Sequence, residues 1–316
     1  MPSAPHPDSL ALDPEVAHAV NTGAPVVALE STILAHGLPP GDNLRIGREI
    51  EATVRATGAV PATIAVLDGR VRVGLDEPAL ERLCDPTVDI LKLSIRDVGV
   101  ALATGRDGAT TVASTSALAH RAGIRVFATG GLGGVHRGAS ESFDISADLG
   151  VIARTPVLVV CAGVKSILDV PGTLEYLETL SVPVLGYRTD AFPGFYLSDS
   201  GYAAPWRVDS PAEAAAVVHA RDLLGGEPAG VVLANPLPAD RQVDPGLHDR
   251  LVAEGLALLE REGITGKAVT PALLAYFHEN SGGESLRANV ELVLSNARLA
   301  GEVASTLADL SRRHTG

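Results

Sequence analysis

Lysine is rare in this chain, and its few positions are candidates for covalent chemistry. Of 25 lysines and arginines, only Lys92, Lys165 and Lys267 are lysines. Guanidinium stays charged at any working pH, whereas an amine can lose its proton and attack a carbonyl carbon. Where a chain otherwise uses arginine for its cations, a retained lysine indicates a role that arginine cannot fill. For any single one of the three, a leftover surface lysine is the simpler interpretation.

Lys165 follows an apolar run that predicts a strand, a small-residue turn and the start of a helix (residues 159–166, VVCAGVKS). A rigid sheet would hold the side chain there, and desolvation, a nearby cation such as Lys92 and a bound metal would each favour the neutral amine. A neutral amine forms a Schiff base with a sugar aldehyde, and a carboxyl group such as Glu30 could supply or remove the proton. The alternative role for Lys165 is that of a fixed phosphate-binding cation.

Polar residues stand at or just after the ends of several predicted strands. These positions are Glu30-Ser31-Thr32, Lys92 and Ser94, Thr129-Gly130-Gly131, Lys165, and Asn235-Pro236. Ligands of α/β sheets bind outside the carboxyl ends of parallel strands, so the sequence predicts that these segments converge on one crevice. Any one of them alone is ordinary turn chemistry.

Two glycine-containing stretches are candidate anion-binding elements. In residues 129–148, TGGLGGVHRGASESFDISAD, the glycines let backbone N–H groups approach an anion, and His136 and Arg137 add donors. The stretch matches neither the dinucleotide fingerprint nor the P-loop, and a glycine-rich turn alone is more often structural. Residues 108–115, GATTVAST, open a predicted helix and are either a second anion-binding element or an ordinary N-cap.

Carboxylates near the end of the first stretch suit a metal ion. Asp144 and Asp148 are four residues apart, with Glu141 just before them. A hard divalent cation such as Mg²⁺ or Mn²⁺ prefers oxygen ligands and often keeps several waters, with only one or two protein ligands. The alternative is a helix start that favours acidic residues.

The histidines show no metal-ligand spacing. We expect His36, His120, His248 and His278 to be surface or capping residues. Cys161 lies in an apolar strand and is expected to be a small core residue.

Short apolar, β-branched runs alternate with alanine-rich helical stretches, which predicts a sheet with parallel strand pairs and helices on both faces. The predicted strands are residues 25–29, 62–67, 71–74, 88–93, 125–128, 157–161, 182–186 and 230–234. The predicted helices are residues 42–57, 78–83, 111–122, 166–180, 211–224 and 247–262, followed by 271–280 and 285–310. Asp68-Gly69 predicts a hairpin turn, which makes the sheet mixed. The expected fold class is a three-layer α/β/α architecture with a mixed, partly parallel central sheet and a helical C-terminal cap.

Composition narrows the function classes. The 316 residues carry a net charge of −13 and are 46% hydrophobic, which fits a globular domain with a large core and argues against a broad nucleic-acid or anionic-membrane surface. No apolar run reaches membrane-span length, and two cysteines fit a reducing cytoplasm. We expect residues 1–14 to be a loose leader and residues 15–312 to form a single domain.

In the strand-end, glycine-containing and lysine motifs described above, the chain resembles the pseudouridine-5′-phosphate glycosidases, a family also known from indigoidine synthase A-like proteins. The likeness extends over about residues 25–302. The matching motifs are residues 28–32 with His36-Gly37, residues 58–65, 108–115, 127–138, 143–149, 160–169 and 234–236, Gly266-Lys267, and Ser285-Leu286 with Asn289.

The resemblance implies reversible cleavage of the C–C glycosidic bond of pseudouridine 5′-phosphate to uracil and ribose 5-phosphate. It implies a lyase that works as a homotrimer with one Mn²⁺-type ion per subunit. By motif, Lys165 is the nucleophile, Glu30 the proton donor and Asp144 the metal ligand. The implied substrate-binding residues are Lys92, Val112, Ser146, Ala147, Asp148, His136, Thr129 and Asn289.

Two departures and two alternatives accompany the resemblance. Residues 92–97 are KLSIRD, so Ile95 stands where the family usually has arginine, and Val164 replaces the usual alanine. One alternative is a Schiff-base aldolase or lyase that acts on another sugar phosphate and needs no pyrimidine pocket. The other is a catalytically idle protein that binds carbohydrate phosphates, which would require Glu30 or Lys165 to be dispensable.

Overall fold

The protein is described as a computed structural model that covers residues 10–225, 228–264 and 269–315. The strands are β1 (Leu10–Leu12), β2 (Val26–Leu29), β3 (Val60–Leu67), β4 (Arg70–Val73), β5 (Leu91–Leu93), β6 (Gly108–Thr110), β7 (Val126–Ala128), β8 (Leu158–Cys161), β9 (Val184–Tyr187), β10 (Trp206–Val208) and β11 (Val231–Ala234). The helices are α1 (Pro14–Thr22), α2 (Asp42–Arg55), α3 (Glu77–Cys84), α4 (Ile95–Thr104), α5 (Val112–Arg121), α6 (Ala139–Ser142), α7 (Ala147–Ile152), α8 (Val170–Thr179), α9 (Pro211–Leu223), α10 (Pro245–Glu262), α11 (Val269–Asn280) and α12 (Glu284–Thr315), and a π-helical turn spans Ile33–Gly37.

The strands form one sheet in the order β1-β4-β3-β2-β7-β8-β11-β9-β10, and β6 pairs with both β3 and β5. From β3 to β10 along this order every neighbouring pair is parallel. Strands β2, β7, β8 and β11 are completely buried, as expected for parallel strands that are covered on both faces.

Strand β3 divides the sheet into two groups of strands. Its first half pairs in parallel with β2, as far as Leu29 opposite Thr63. Its second half pairs with antiparallel β6, where Ala65 lies opposite Ala109. Because β4 occupies the other edge of this second half, β2 and β6 lie along the same edge of β3. Their carboxyl ends therefore point toward each other.

Buried hydroxyl groups fill the junction between β2 and β6. The Ser31 hydroxyl donates to the Ile64 carbonyl at 2.7 Å and accepts from the Thr110 amide at 2.8 Å. The Thr110 hydroxyl donates to the same Ile64 carbonyl at 2.6 Å, and Thr115 donates to the Thr110 hydroxyl at 2.8 Å. These bonds satisfy the polar groups that the two strand ends would otherwise leave unpaired in the core.

Helices cover both sides of the sheet, and the long helix α12 fixes the C-terminal cap to it. Helix α12 packs on α2 and α9 and on strands β2, β7 and β8, while α10 and α11 pack against each other. None of the helices in the described ranges combines the length and the apolar character needed to cross a bilayer.

The predicted α/β/α class is confirmed, and Asp68-Gly69 forms the predicted hairpin turn with both residues at positive φ (52° and 68°). Strand β5 is shorter than predicted, and α1, α4 and the three-residue strands β1, β6 and β10 were not predicted. The helix expected from residue 166 begins at Val170, because Asp169 caps it and Pro171 opens its first turn.

The leader predicted over residues 1–14 is wrong for its last part. Leu10–Leu12 forms an edge strand in parallel with β4, and the Asp13 side chain caps α1 by accepting from the Glu15 amide at 2.9 Å. Residues 1–9 lie outside the described ranges. Residues 15–312, expected as a single domain, share one continuous hydrophobic core wherever the structure describes them.

Candidate active site

A cavity of about 470 Å³ lies where the two groups of strands meet. It brings together ten of the eleven residues predicted for the site: Glu30, Lys92, Val112, His136, Asp144, Ser146, Ala147, Asp148, Lys165 and Asn289. The eleventh, Thr129, lies directly behind Glu30. Four of the five strand-end segments therefore converge as expected, although β5 and β6 run opposite to β2, β7 and β8, and the fifth segment, Asn235-Pro236, does not line the cavity. The functional roles of these residues stay predictions.

Glu30 is a carboxyl group of the cavity wall whose pKa is raised. It follows β2 directly, and its Oε1 accepts a short hydrogen bond from the Thr129 hydroxyl. Burial raises the pKa of Glu30, while the positive charge of Lys165 and the Thr129 hydrogen bond oppose that rise. A carboxyl group of raised pKa keeps its proton to higher pH and is suited to general acid catalysis.

A tight turn after β8 places Lys165 in the cavity wall. Gly163 adopts a φ of +80°, and a Cβ there would overlap the Pro193 carbonyl, so only glycine fits. The Leu132 carbonyl accepts from the Lys165 amide at 3.3 Å, and the Lys165 carbonyl accepts from the Leu168 amide at 2.9 Å. The backbone on both sides of the lysine is therefore fixed, and Lys165 lies in a turn rather than at the predicted helix start.

Lys92 and His36 also line the cavity. Lys92 is the middle residue of β5, and His36 is the next-to-last residue of the π-helical turn that follows β2. Desolvation lowers the pKa of His36, and the positive charge of Lys92 lowers it further. A neutral imidazole beside an ammonium group adds a hydrogen-bonding group to this wall without adding charge.

Asp148 joins the two glycine-containing stretches. Its Oδ1 accepts from the Ala113 amide in the first turn of α5, and its Oδ2 accepts from the Gly133 amide, each at 2.9 Å. The carboxylate is only 7% exposed. Asp148, predicted as a substrate-binding residue, thus lines the cavity while fixing the start of α5 against the glycine-rich loop.

Gly133 has no room for a side chain. A Cβ at this position would overlap the Ser146 hydroxyl and lie 2.8 Å from Asp148 Oδ2. We expect Gly133→Ala to push Ser146 and Asp148 out of place and to lower kcat/KM about 100-fold, as misplaced site groups commonly do. Steady-state kinetics would measure this loss. The matched control is Gly150→Ala in α7, where a Cβ meets no atom within 4 Å, and equal activity of the two variants would contradict the prediction.

Asp144, the predicted metal ligand, lies on the cavity wall beside His136. Its Oδ2 is 3.8 Å from His136 Nδ1, and its side chain is 36% exposed. The described residues contain no cluster of three or more His, Cys, Asp or Glu side chains arranged around a common point. One accessible carboxylate fits a hydrated hard cation that keeps most of its waters, and it does not fit an all-protein cage.

Asn289, a predicted site residue, and Asn235, named only for its place after a predicted strand, have different surroundings. Asn289 of α12 lines the cavity at 2% exposure, and its Oδ1 accepts no hydrogen bond from any described residue. Asn235 does not line the cavity. Its amide donates to Asn296 of α12 at 2.9 Å, and Asn296 in turn donates to the Thr129 carbonyl at 2.8 Å.

Several wall residues were missed by the sequence analysis. Phe195, Pro271 and Leu274 supply apolar wall, and Arg96 stands at the rim. The segment containing Phe195 carries two of the chain's five phenylalanines within four positions, which is a signal that could have been used. Lys267 lies outside the described residues.

Ile95 and Cys161, both singled out from the sequence, are packed in or against the hydrophobic core. Ile95, which stands where the resemblance implies an arginine, is the first residue of α4 and packs against the core. Cys161 is a buried core residue, as expected, and burial raises the pKa of its thiol to about 12. Such a thiol stays protonated and unreactive.

Several known proteins are similar to this chain in sequence. The family described as "Indigoidine synthase A like protein" matches residues 15–306. A pseudouridine-5′-phosphate glycosidase from Salinispora tropica is 62% identical over 291 residues, which are 92% of this chain and 89% of the relative. A protein of the same name from Frankia alni is 56% identical over 300 residues, which are 95% of this chain and 82% of the relative.

Solved structures of similar proteins have the same fold as this chain. The prealnumycin C-glycosynthase AlnA, crystallised with ribulose 5-phosphate, superposes with a TM-score of 0.89 at 41% identity and covers 98% of this chain and 100% of its own. An indigoidine synthase A-like protein from Thermotoga maritima superposes with a TM-score of 0.87 at 33% identity, covering 98% of this chain and 99% of its own. The sequence motifs, the fold and the full-length matches lead to one conclusion: this chain belongs to the indigoidine synthase A-like family.

Proposed function

We propose that this protein reversibly cleaves the C–C glycosidic bond of pseudouridine 5′-phosphate to give uracil and ribose 5-phosphate. One observation carries the proposal: a lysine and a carboxyl group of raised pKa, Lys165 and Glu30, line the same cavity and interact electrostatically. The relatives named pseudouridine-5′-phosphate glycosidase support the substrate.

The leaving group explains why an amine is needed. Breaking a C–C bond leaves the electron pair on a uracil carbon, which is a much worse leaving group than the nitrogen of an ordinary nucleoside. C1 of the ribose becomes electron-deficient as that pair departs, and glycoside hydrolases, which work with a pair of carboxylates, leave such a carbon stabilised only as an oxocarbenium-like centre. An amine bonded to C1 of the ribose can supply its lone pair and become an iminium as the bond breaks.

The proposed reaction consumes one water molecule and regenerates both catalytic groups. The Lys165 amine replaces the ring oxygen at C1, and that oxygen takes up a proton to become a hydroxyl. Glu30 then protonates C5 of uracil while the C1–C5 bond breaks and the nitrogen lone pair forms the C=N bond of the iminium. Water hydrolyses the iminium, which releases ribose 5-phosphate and restores the amine and the acid.

The remaining wall residues are suited to binding. Lys92 and the N-terminus of α5, with Val112 in its first turn, offer a cation and a positive helix end for the phosphate. The Oδ1 of Asn289 is a buried acceptor on the cavity wall, which matches the N–H donors of a pyrimidine. Ser146 and His136 offer further polar groups to the sugar, and Ala147 lines the cavity beside them.

A hydrated Mn²⁺-type ion would be held by Asp144. When bound, it would supply positive charge that stabilises the substrate anion. We expect Asp144→Asn to raise the Mn²⁺ concentration needed for half-maximal activity at least tenfold, because the neutral amide is a weaker ligand than a carboxylate. Titration of the chelated enzyme with Mn²⁺ measures this shift, and full activity of the wild type after complete metal removal would contradict the role of Asp144.

The loss of uracil absorbance on synthesis, or its gain on cleavage, tests the proposed reaction directly. We expect turnover of pseudouridine 5′-phosphate and none of uridine 5′-phosphate, whose C–N bond presents a different leaving atom. A Schiff-base aldolase or lyase on another sugar phosphate would turn over neither, which separates the alternatives. The structurally similar AlnA is named a C-glycosynthase, which denotes chemistry at a carbon–sugar bond. This name favours the glycosidase over the aldolase or lyase.

The wider assignments come from the family resemblance. Homotrimeric assembly and a cytoplasmic location stay predictions for this chain. The partners that the proposal includes are small molecules, namely pseudouridine 5′-phosphate, uracil and ribose 5-phosphate.

A further inference from the structure

A buried histidine of the C-terminal cap contacts the residue directly after Lys165. His248, in α10, is 4% exposed, and its Nε2 lies 2.6 Å from the Ser166 hydroxyl. Its Nδ1 lies 3.1 Å from a carboxylate oxygen of the neighbouring Asp249. A surface or capping role for His248, which the sequence analysis expected, is therefore wrong.

The two contacts of the ring determine its tautomer. Burial lowers the pKa of His248, and the charge of Arg137 lowers it further, although Asp249 opposes the shift. In a neutral ring, Nδ1–H donates to the acceptor-only carboxylate of Asp249, so Nε2 is left to accept from the Ser166 hydroxyl. Each polar atom of the ring then has a partner of the matching kind.

The turn after Lys165 is held at two successive residues. His248 holds the Ser166 side chain, and Arg137 Nε donates to the Ile167 carbonyl at 3.2 Å. The turn entering Lys165 is tied to Leu132. The lysine backbone is therefore fixed on one side by the Leu132 carbonyl of the glycine-rich stretch, and on the other by side chains from that same stretch and from α10.

Aromatic packing fixes the position of His248 relative to the cavity. Its ring meets Phe277 of α11 edge-on at 5.8 Å between centroids, and Phe277 stacks on Tyr196 at 5.4 Å. Tyr196 contacts Phe195 at 4.6 Å, and Phe195 lines the cavity. Among such rings an apolar side chain would pack well, so the contact with Ser166 is what a histidine adds there.

We infer that His248 is a positioning residue for Lys165: through Ser166 it holds the turn so that the amine meets C1 of the sugar. This inference rests on the proposed function, because it assigns the geometry to imine formation. Positioning by residues outside the reacting set commonly accounts for one to two orders of magnitude in rate.

The test uses two variants that break the contact from opposite sides, His248→Leu and Ser166→Ala. We expect each to lower kcat about 10-fold to 100-fold with KM changed less than about twofold, because the substrate contacts are untouched while the amine is misplaced. The double variant should be no slower than the slower single variant, since both remove one contact. His248→Gln, whose amide oxygen can accept from Ser166, should recover most of the loss.

The matched control is His120→Leu, at an exposed position in the last turn of α5. It should leave kcat unchanged. If His248→Leu fails to fold, Ser166→Ala and His248→Gln still decide the question. Unchanged kcat in Ser166→Ala, or losses that add in the double variant, would overturn the inference.

A second readout separates this inference from the proposed function. Wild-type protein is treated with ribose 5-phosphate and borohydride, and the adduct mass is followed with time. An adduct that forms about 10-fold more slowly in Ser166→Ala supports positioning, and equal rates in the two proteins contradict it. No adduct in the wild type would instead refute the imine step itself.

Discussion

Turnover of pseudouridine 5′-phosphate is expected to fall by at least about 10⁴-fold in Lys165→Ala, because the substitution removes the amine that the proposal assigns to the iminium. Uracil absorbance measures the loss, and borohydride with ribose 5-phosphate should add a stable mass to the wild type only. The same adduct on Lys165→Ala would show that a different amine reacts.

Lys165→Arg separates the two roles that the sequence left open. Arginine keeps the positive charge for a phosphate but cannot form an imine. If Lys165 is the nucleophile, Lys165→Arg is as inactive as Lys165→Ala. If it is only a phosphate-binding cation, Lys165→Arg keeps much of the activity. Lys92→Ala is the matched control, since it should raise KM while still forming the borohydride adduct.

Glu30→Gln is expected to lower kcat about 10³-fold while leaving the overall shape of the cavity intact, because the amide occupies the same space but cannot donate a proton to carbon. In wild type, kcat for cleavage should decrease as pH rises through the raised pKa of Glu30, since the donor is then ionised. A pH–rate profile measures this decrease. Activity of Glu30→Gln close to wild type would contradict the assignment.

The same substitution should stabilise the protein. Because the folded-state pKa of Glu30 lies above its ordinary value of 4.5, the folded protein binds this proton more tightly than the unfolded chain does. The stabilisation it gives is complete below pH 4.5 and is lost as pH rises through the folded-state pKa. Thermal unfolding at neutral pH should therefore give a higher Tm for Glu30→Gln than for wild type, and the difference should shrink toward pH 4.5.

The sequence predicted the fold class because its signals are local. Apolar runs of strand length, alternating helices and the Asp68-Gly69 turn each depend on a few neighbouring residues. The direction of a strand, in contrast, does not depend on its neighbours in the sequence. Nothing within residues 91–93 or 108–110 encodes that these strands run opposite to β2, since that arrangement comes from long-range pairing with β3.

The candidate site shows the same division. Glu30, Lys92 and Lys165 could be found because chemically unusual residues stand beside predicted strand ends. His248 could not, because its significance depends on a contact with Ser166 across 82 residues of sequence. Phe195 and Pro271 are apolar, and only tertiary packing shows that they face a ligand cavity rather than the core.

The division of β3 has a consequence for ligand affinity. Strand β2, which leads to Glu30, and strand β6, which leads to Val112 at the start of α5, both pair with one continuous eight-residue strand, and buried hydroxyls tie their ends together. The gap between the groups is thus set during folding, and a ligand need not spend its interaction energy on drawing two separate bodies together. Inserting a single residue into β3 would shift one group of strands along its axis and alter the gap without touching any residue that contacts the ligand.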